Sequence, residues 1–309
     1  MNTFRKSFVK SFIKRKPFPK ASAKAQSAME YLMTYGWAIL IISVVLAALF
    51  QLGVFNPMTF APKAPPGSCQ VFRPNGPGTT SFINLEGVCS GELPQYVAQF
   101  NGNQNSYINI GNSNLLNIVG PLTVTAWVNA LSNGGGDIYE QNSCNSQYEL
   151  FIEGGNVKMR VSPISGGLVD TGGDAPLPTN IWVFVAGTFN ITDVGIYING
   201  IFKGSATVGN TLVSHPGGYG YIGELVNGCT SYDLNGNLAN VQVYNTSLSA
   251  NEIQALYQEG IGGAPIDLQH LVGWWPLNGN ANDYSGNGNN GQTSNVNFVS
   301  NWYSGYTPP

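Results

Sequence analysis

One carboxylate, Glu30, stands at the mouth of an otherwise uncharged apolar run, Leu32–Phe55. An ionised side chain at the edge of hydrocarbon costs a few kcal/mol unless it is paired. A free α-amino group five residues away, or on a neighbouring chain, would pair it. The four cysteines, Cys69, Cys89, Cys144 and Cys229, lie far apart with no C-x-x-C spacing and no histidine nearby, which speaks for disulfides rather than a metal. Three pairings are open. A small loop closed by Cys69 and Cys89 is one expectation, and a Cys144–Cys229 bridge between two loops of similar sequence is another. Asn190-Ile191-Thr192 and Asn245-Thr246-Ser247 fit the acceptor pattern for N-linked glycosylation. Tyr219, Tyr221 and Tyr232, close to asparagine-rich loops, are candidates for stacking on sugar rings. His215 and His270 are isolated, and no Ser-His-Asp arrangement is present, so no enzyme activity is expected.

These residues sit in four segments. Residues 1–25 form a basic leader holding 8 of the 13 lysines and arginines and no acid. Residues 26–55 contain the apolar run, long enough as a helix to cross about 30 Å of hydrocarbon. Positive charge before the run and none after it places the leader inside and the rest outside. Residues 56–95 are a proline- and glycine-rich linker with the Cys69–Cys89 loop. Residues 96–309 are a polar body. Without the leader, 5 basic residues face 16 acidic ones, a net charge of −11, which excludes nucleic acid as a partner. Charged residues make up 9% of the chain, against about 25% in ordinary cytosolic domains.

The body reads as mainly β. Val97–Phe100, Tyr107–Ile110, Leu122–Val128, Glu149–Glu153, Val157–Val161, Ile181–Phe189, Gly195–Ile198, Ile201–Val208 and Leu238–Tyr244 have strand character. Asn199-Gly200 between two apolar triplets is a type I′ hairpin signal. Ser249-Ala250-Asn251-Glu252 is a capping box for one short helix that Gly260 closes. Many short strands with one small helix predict an antiparallel two-sheet sandwich.

The string Lys24-Ala25-Gln26-Ser27-Ala28-Met29-Glu30-Tyr31, followed by the apolar run, resembles the class III signal sequence of archaeal type IV pilin-like proteins. The resemblance implies that a membrane prepilin peptidase cuts between Ala25 and Gln26 and leaves the apolar helix on the mature protein. Glu30, then the fifth residue, becomes the assembly residue of a helical homo-oligomeric filament on the cell surface.

The body is similar to laminin-G-like, concanavalin A-type jelly rolls. The likeness rests on Phe100-Asn101-Gly102, Leu122–Val128, Trp182–Phe189, Ile196–Gly200, Asn235–Asn245 and Leu248–Ile253, in that order. Gly273-Trp274-Trp275-Pro276-Leu277-Asn278-Gly279-Asn280, with Asp283, looks like the family's first strand but comes last. That implies a circular permutation, since the 37 residues from Gly273 onward are too few for a second sandwich. The family implies binding of a glycan or a cell-surface protein, and one cofactor, calcium, with Asp137, Glu140, Asp233 and Asp283 as candidate ligands. Asn101 and Asn240 stand where the family often has acids, which argues against that ion. Glycosidases of this fold carry an E-x-D-x-x-E run, which is missing here. The sequence thus reads as a filament subunit displaying a lectin-like domain. The alternatives are a membrane-anchored lectin that does not polymerise and, less favoured, a secreted glycoside hydrolase.

Overall fold

The computed structural model describes residues 33, 35–47, 69–74, 80–85, 93–142, 146–172, 175–224 and 233–309, with backbone alone for the strands at 69–74 and 80–85. The chain divides into two units, Met1–Lys63 and Ala64–Pro309.

In the first unit a helix, α1, covers residues 35–47. Its 13 residues reach about 20 Å at 1.5 Å each. Among the described residues no helix is long and apolar enough to cross a membrane, so the longer helix expected over 26–55 is not shown. The leader, the Ala25–Gln26 cut and Glu30 lie outside the described residues. The large apolar side chains of α1 are exposed around the whole helix, from Trp37 at 65% to Leu46 at 46%. The Ser43 hydroxyl donates to the Ile39 carbonyl at 2.7 Å, which satisfies the one polar group on its face.

The second unit opens with a hairpin of β1 (Cys69–Pro74) and β2 (Thr80–Leu85), in register from Cys69 opposite Leu85 to Pro74 opposite Thr80. The side chains of all four cysteines lie outside the described residues, so both expected disulfides do too. The sandwich follows. Its strands are β3 (Val97–Asn101), β4 (Tyr107–Gly111), β5 (Leu122–Ala130), β6 (Gly136–Gln141), β7 (Tyr148–Glu153), β8 (Asn156–Val161), β9 (Val169–Asp170) and β10 (Val183–Phe189). They continue with β11 (Asp193–Ile198), β12 (Ile201–Thr207), β13 (Gly220–Ile222), β14 (Asn235–Tyr244), β15 (Leu271–Trp275), β16 (Gln292–Ser294) and β17 (Asn297–Val299). One sheet has the order β12-β11-β10-β5-β14-β3-β17, with β15 also on β14; the other runs β16-β4-β13-β6-β7-β8-β9. Every pairing is antiparallel, as expected for a sandwich of this kind.

The alternation in β5 explains how the layers form. Leu122, Val124, Ala126, Val128 and Ala130 enter the core between the sheets with Phe100, Tyr148, Met159, Phe189 and Trp275. Trp127 points the other way, into a second core with Trp182, Phe184, Tyr244, Ile253, Leu256, Trp274 and Trp302. Covered on both faces, β5 is buried throughout. The helix that supplies part of this cover, α2 (Ala250–Glu259), starts at the expected capping box and ends at Gly260. At the β11–β12 turn Asn199 and Gly200 have φ of +50° and +75°, as the hairpin signal requires.

The C-terminal segment completes both sheets instead of starting another domain. β15 lies on β14, β16 on β4 and β17 on β3. The Trp302 indole N–H donates to the Pro94 carbonyl at 3.0 Å, and the Tyr96 N–H donates to Asn278 Oδ1 at 2.9 Å. Chain entry and chain end therefore meet. One side of β14 pairs β5; the other pairs β3 through Asn235–Leu238 and then β15 through Val241–Tyr244. Asn240 marks the change of partner, at φ +53°. Its Nδ2 donates to the Gly263 carbonyl at 2.8 Å, and its Oδ1 accepts from the Trp274 indole at 2.8 Å and from Gln242 Nε2 at 2.9 Å.

Two outcomes follow for stability. Asn240→Gly keeps the backbone conformation but strands the Trp274 N–H and the Gly263 carbonyl; it should cost about 2–4 kcal/mol in a urea melt. A chain reordered so that residues 271–309 precede residue 93 should show the same circular dichroism and a cooperative melt, because the two ends already touch.

Candidate functional site

Register brings together residues that the sequence keeps apart. Across the outer face of the seven-stranded sheet, Gln292 lies opposite Asn109, Asn109 opposite Tyr221, and Tyr221 opposite Glu140. The row continues from Glu140 to Glu149, then Arg160, then Asp170. Their neighbours along each strand, among them Ile108, Tyr139, Leu150 and Met159, face the core, so the period of two leaves this line polar from edge to edge.

The centre of the row is buried and acidic. Glu140 and Glu149 are exposed by 0% and 2%. Ser146 Oγ lies 3.0 Å from Glu140 Oε1 and 2.5 Å from Glu149 Oε2. A hydroxyl carries one proton, so both contacts are hydrogen bonds only when one of the two carboxyls is protonated. Burial is the main cause that holds Glu149 above the ordinary carboxylate range, with Ser146 and Arg160 opposing it. Asp137, 1% exposed, has no hydrogen-bond partner for either carboxylate oxygen among the described residues. Burial first, then the charges of Glu149 and Glu140, push it well up. Glu224 Oε2 and Asp233 Oδ1 are also buried without a partner, and burial raises both groups. Arg160 neutralises the far side: it bonds Glu149 at 2.5 Å, grips Asp170 through two nitrogens at 2.5 and 2.8 Å, and lies 4.3 Å over the Phe151 ring.

The β16–β4 flank is open. Tyr107 and Asn109 of β4 stand opposite Ser294 and Gln292 of β16, giving a patch of one phenol, two amides and a hydroxyl. Tyr221 meets Tyr107 edge-on, 5.7 Å between centroids. Tyr219 is exposed just beyond, next to Asn142, whose N–H donates to the Tyr219 carbonyl. Tyr232 lies outside the described residues.

Of the acids expected to hold calcium, Asp137, Glu140 and Asp233 fall in the acidic centre. Asp283 falls elsewhere, where its carboxylate accepts from the N–H groups of Trp274, Ser285 and Asn289 and so organises the loop after β15. Asn101 caps its own turn by accepting from Asn103 N–H at 3.0 Å. Among the described residues no three Asp, Glu, His or Cys side chains are arranged to share a metal ion, so these donors do not fit calcium by themselves. Sequence reasoning missed Glu149, Arg160 and Asp170, which only the strand register joins, and Glu224, which lies just past the end of β13.

The pH dependence has a definite sign. Raised carboxyls keep their protons in the folded state at pH values where the unfolded chain has released them. The stability that these groups contribute is therefore fully present below the ordinary carboxylate range and is lost as pH rises past it through their raised values. Asp137→Asn should flatten that decline and raise stability at neutral pH by on the order of 1–3 kcal/mol, read from melts across the acidic to neutral range.

Residues 101–254 match a laminin G family described as the concanavalin A-like lectin/glucanases superfamily. No curated protein matches the sequence. Among solved structures, a Bacteroides ovatus protein described as a candidate carbohydrate-binding protein is 18% identical with a TM-score of 0.54; the likeness covers 72% of this chain and 64% of that one. A heptameric SAP-like pentraxin of Limulus polyphemus is 18% identical, TM-score 0.45, over 55% of this chain and 85% of its own. The receptor-binding domain of a botulinum neurotoxin C/D mosaic serotype is 19% identical, TM-score 0.43, over 62% and 50%. At 18% identity the Bacteroides ovatus structure speaks for the fold alone. The matched stretch and the two antiparallel sheets agree on a sandwich fold of the concanavalin A-like, laminin G type for the body of the chain.

Proposed function

We propose that this chain is a subunit of a type IV pilus-like filament on the cell surface, and that its sandwich binds carbohydrate there. The observation that carries the binding half is the polar row, with its open flank of Tyr107, Asn109, Gln292 and Ser294. Sugars bring hydroxyl donors and a flat apolar face, and this flank offers amides, a hydroxyl and tyrosine rings to meet them. With Glu140, Glu149 and Asp170 along the row and one guanidinium, Arg160, against them, the face favours neutral, hydroxyl-rich ligands over anionic ones. The Bacteroides ovatus protein described as a candidate for carbohydrate binding supports the same reading. Binding is favoured over hydrolysis, because Glu140 and Glu149, the paired carboxyls of the row, are closed off from solvent and engaged with Ser146.

The filament half rests on the N-terminal signals. The leader is basic, the Ala25–Gln26 junction fits a prepilin peptidase, and Glu30 stands five residues into the mature chain. α1 supports it as well: a helix apolar on all sides needs lipid or identical helices around it, and Gly36 leaves open space on its surface for a close neighbour. The protein would wait in the membrane before assembly and be held in the filament by the pairing of Glu30 with a neighbour's amino terminus.

Two measurements check the two halves separately. On a glycan array, Tyr107→Ala should lower binding of the sandwich about tenfold or more, equivalent to about 1.4 kcal/mol; a wild-type domain that binds no glycan would end the carbohydrate reading. Glu30→Ala should abolish filaments in electron micrographs while the protein remains in the membrane fraction.

A further inference from the structure

Asn190-Ile191-Thr192 and Asn245-Thr246-Ser247 are the only N-x-S/T triplets without proline in the chain. They are 55 positions apart in sequence, yet the topology brings them together. Each asparagine is the first residue after a strand, β10 ending at Phe189 and β14 at Tyr244. Both strands are antiparallel to β5 and flank it, so they run in the same direction and end at the same pole. Their last residues stand opposite consecutive residues of β5, Phe189 opposite Leu122 and Tyr244 opposite Thr123. Two strand spacings of about 4.8 Å then place the asparagines on the order of 10 Å apart.

Both side chains are exposed. Asn190 Oδ1 accepts from the Asp193 N–H at 2.7 Å, which fixes the turn and leaves Nδ2 without an acceptor among the described residues. Asn245 makes no side-chain hydrogen bond among the described residues; its backbone N–H donates to the His270 carbonyl. Thr192 is exposed and Ser247 half-buried. The acidic centre lies toward the other end of β14, where a Cβ on Gly136 would touch Leu234 and where Asp233 precedes the strand. A ten-residue strand separates the two ends by roughly 30 Å.

We propose that Asn190 and Asn245 both carry N-linked glycans, forming a paired carbohydrate cover at the end of the sandwich away from the acidic row. In each attachment the carboxamide Nδ2 bonds to the anomeric carbon of a sugar carried on a lipid phosphate. The carbon–oxygen bond to that phosphate breaks, the phosphate leaves with the electron pair, and the proton lost from Nδ2 passes through the transferase to it. The attachment rests on the outward display of the sandwich proposed above, because the transferase works on exported chains. Set at the far end, the two glycans hydrate one pole and leave the polar row uncovered.

The full chain would be taken from the surface of cells that express it together with a membrane oligosaccharyltransferase. Peptides spanning Asn190 and Asn245 are weighed, and Asn190→Gln, Asn245→Gln and the double variant are compared on gels. Thr192→Ala and Ser247→Ala, which keep each asparagine and remove only its acceptor triplet, serve as second variants. Each single change should lose one glycan increment and the double change both, and Thr192→Ala, which keeps the Asn190–Asp193 contact, should do so with melting temperature unshifted. External protease on intact cells runs in parallel. A sandwich cut from outside, with either asparagine unmodified, overturns the paired cover and leaves surface display standing. A sandwich protected in intact cells overturns both.

Discussion

Asn240 is the residue on which the architecture turns. β14 has to serve β5 along one side and two different strands along the other, and the change of partner falls where Asn240 takes a left-handed backbone. Few residues other than glycine adopt that conformation cheaply, and asparagine is one of them. Its amide then donates to Gly263 and accepts from Trp274, which ties the segment after α2 to the end of β15. A carboxylate can only accept. An acid here, as the laminin-G-like pattern commonly has, would leave the Gly263 carbonyl without its donor. The amide therefore goes with the way β15 arrives beside β14 from the C-terminal side.

Once β15 is fixed, two cores follow from two adjacent residues. Trp275 enters the space between the sheets and stands 6.2 Å from Tyr139, while Trp274 turns to the outer face of the eight-stranded sheet and joins Trp127 and Trp302. The chain end then closes over that face, with Trp182 Nε1 donating to the Trp302 carbonyl and Tyr306 accepting from the Ile261 N–H. With the other face of the eight-stranded sheet covered by α2 and the chain end, the polar row falls to the outer face of the seven-stranded sheet, buried at its centre and open at the β16–β4 flank.

Local chemistry was legible in the sequence where it acts locally. The alternation of Leu122–Val128, the Asn199-Gly200 turn and the Ser249–Glu252 capping box each specify an element through neighbours within a few residues, and each appears where expected. β6 was not legible, because Gly136-Asp137-Ile138-Tyr139-Glu140-Gln141 places acids on an outer face and looks like a polar loop. β13, three residues long, was too short to show a period. The candidate site failed to appear for a related reason. Glu140, Glu149, Arg160 and Asp170 become neighbours only through the pairing of four strands, and no spacing in the chain encodes that pairing.

The acidic row also sits uneasily with the rest of the fold. A chain with so few charges would be more stable if its buried acids were replaced or fully paired, because a buried polar atom without a partner costs about 1–3 kcal/mol. Asp283, nearly as buried, uses its carboxylate on three backbone N–H groups. Arg160 offsets the cluster only in part: its guanidinium is committed to Glu149 and Asp170, and its charge lowers Asp137 less than burial, Glu149 and Glu140 raise it. Asp137 thus stands as a local conflict, with both carboxylate oxygens buried and without a partner among the described residues, and such conflicts concentrate where a protein must meet something other than itself. The contrast between Asp283 and Asp137, two buried aspartates in one domain, separates an acid that builds the fold from one that the fold tolerates.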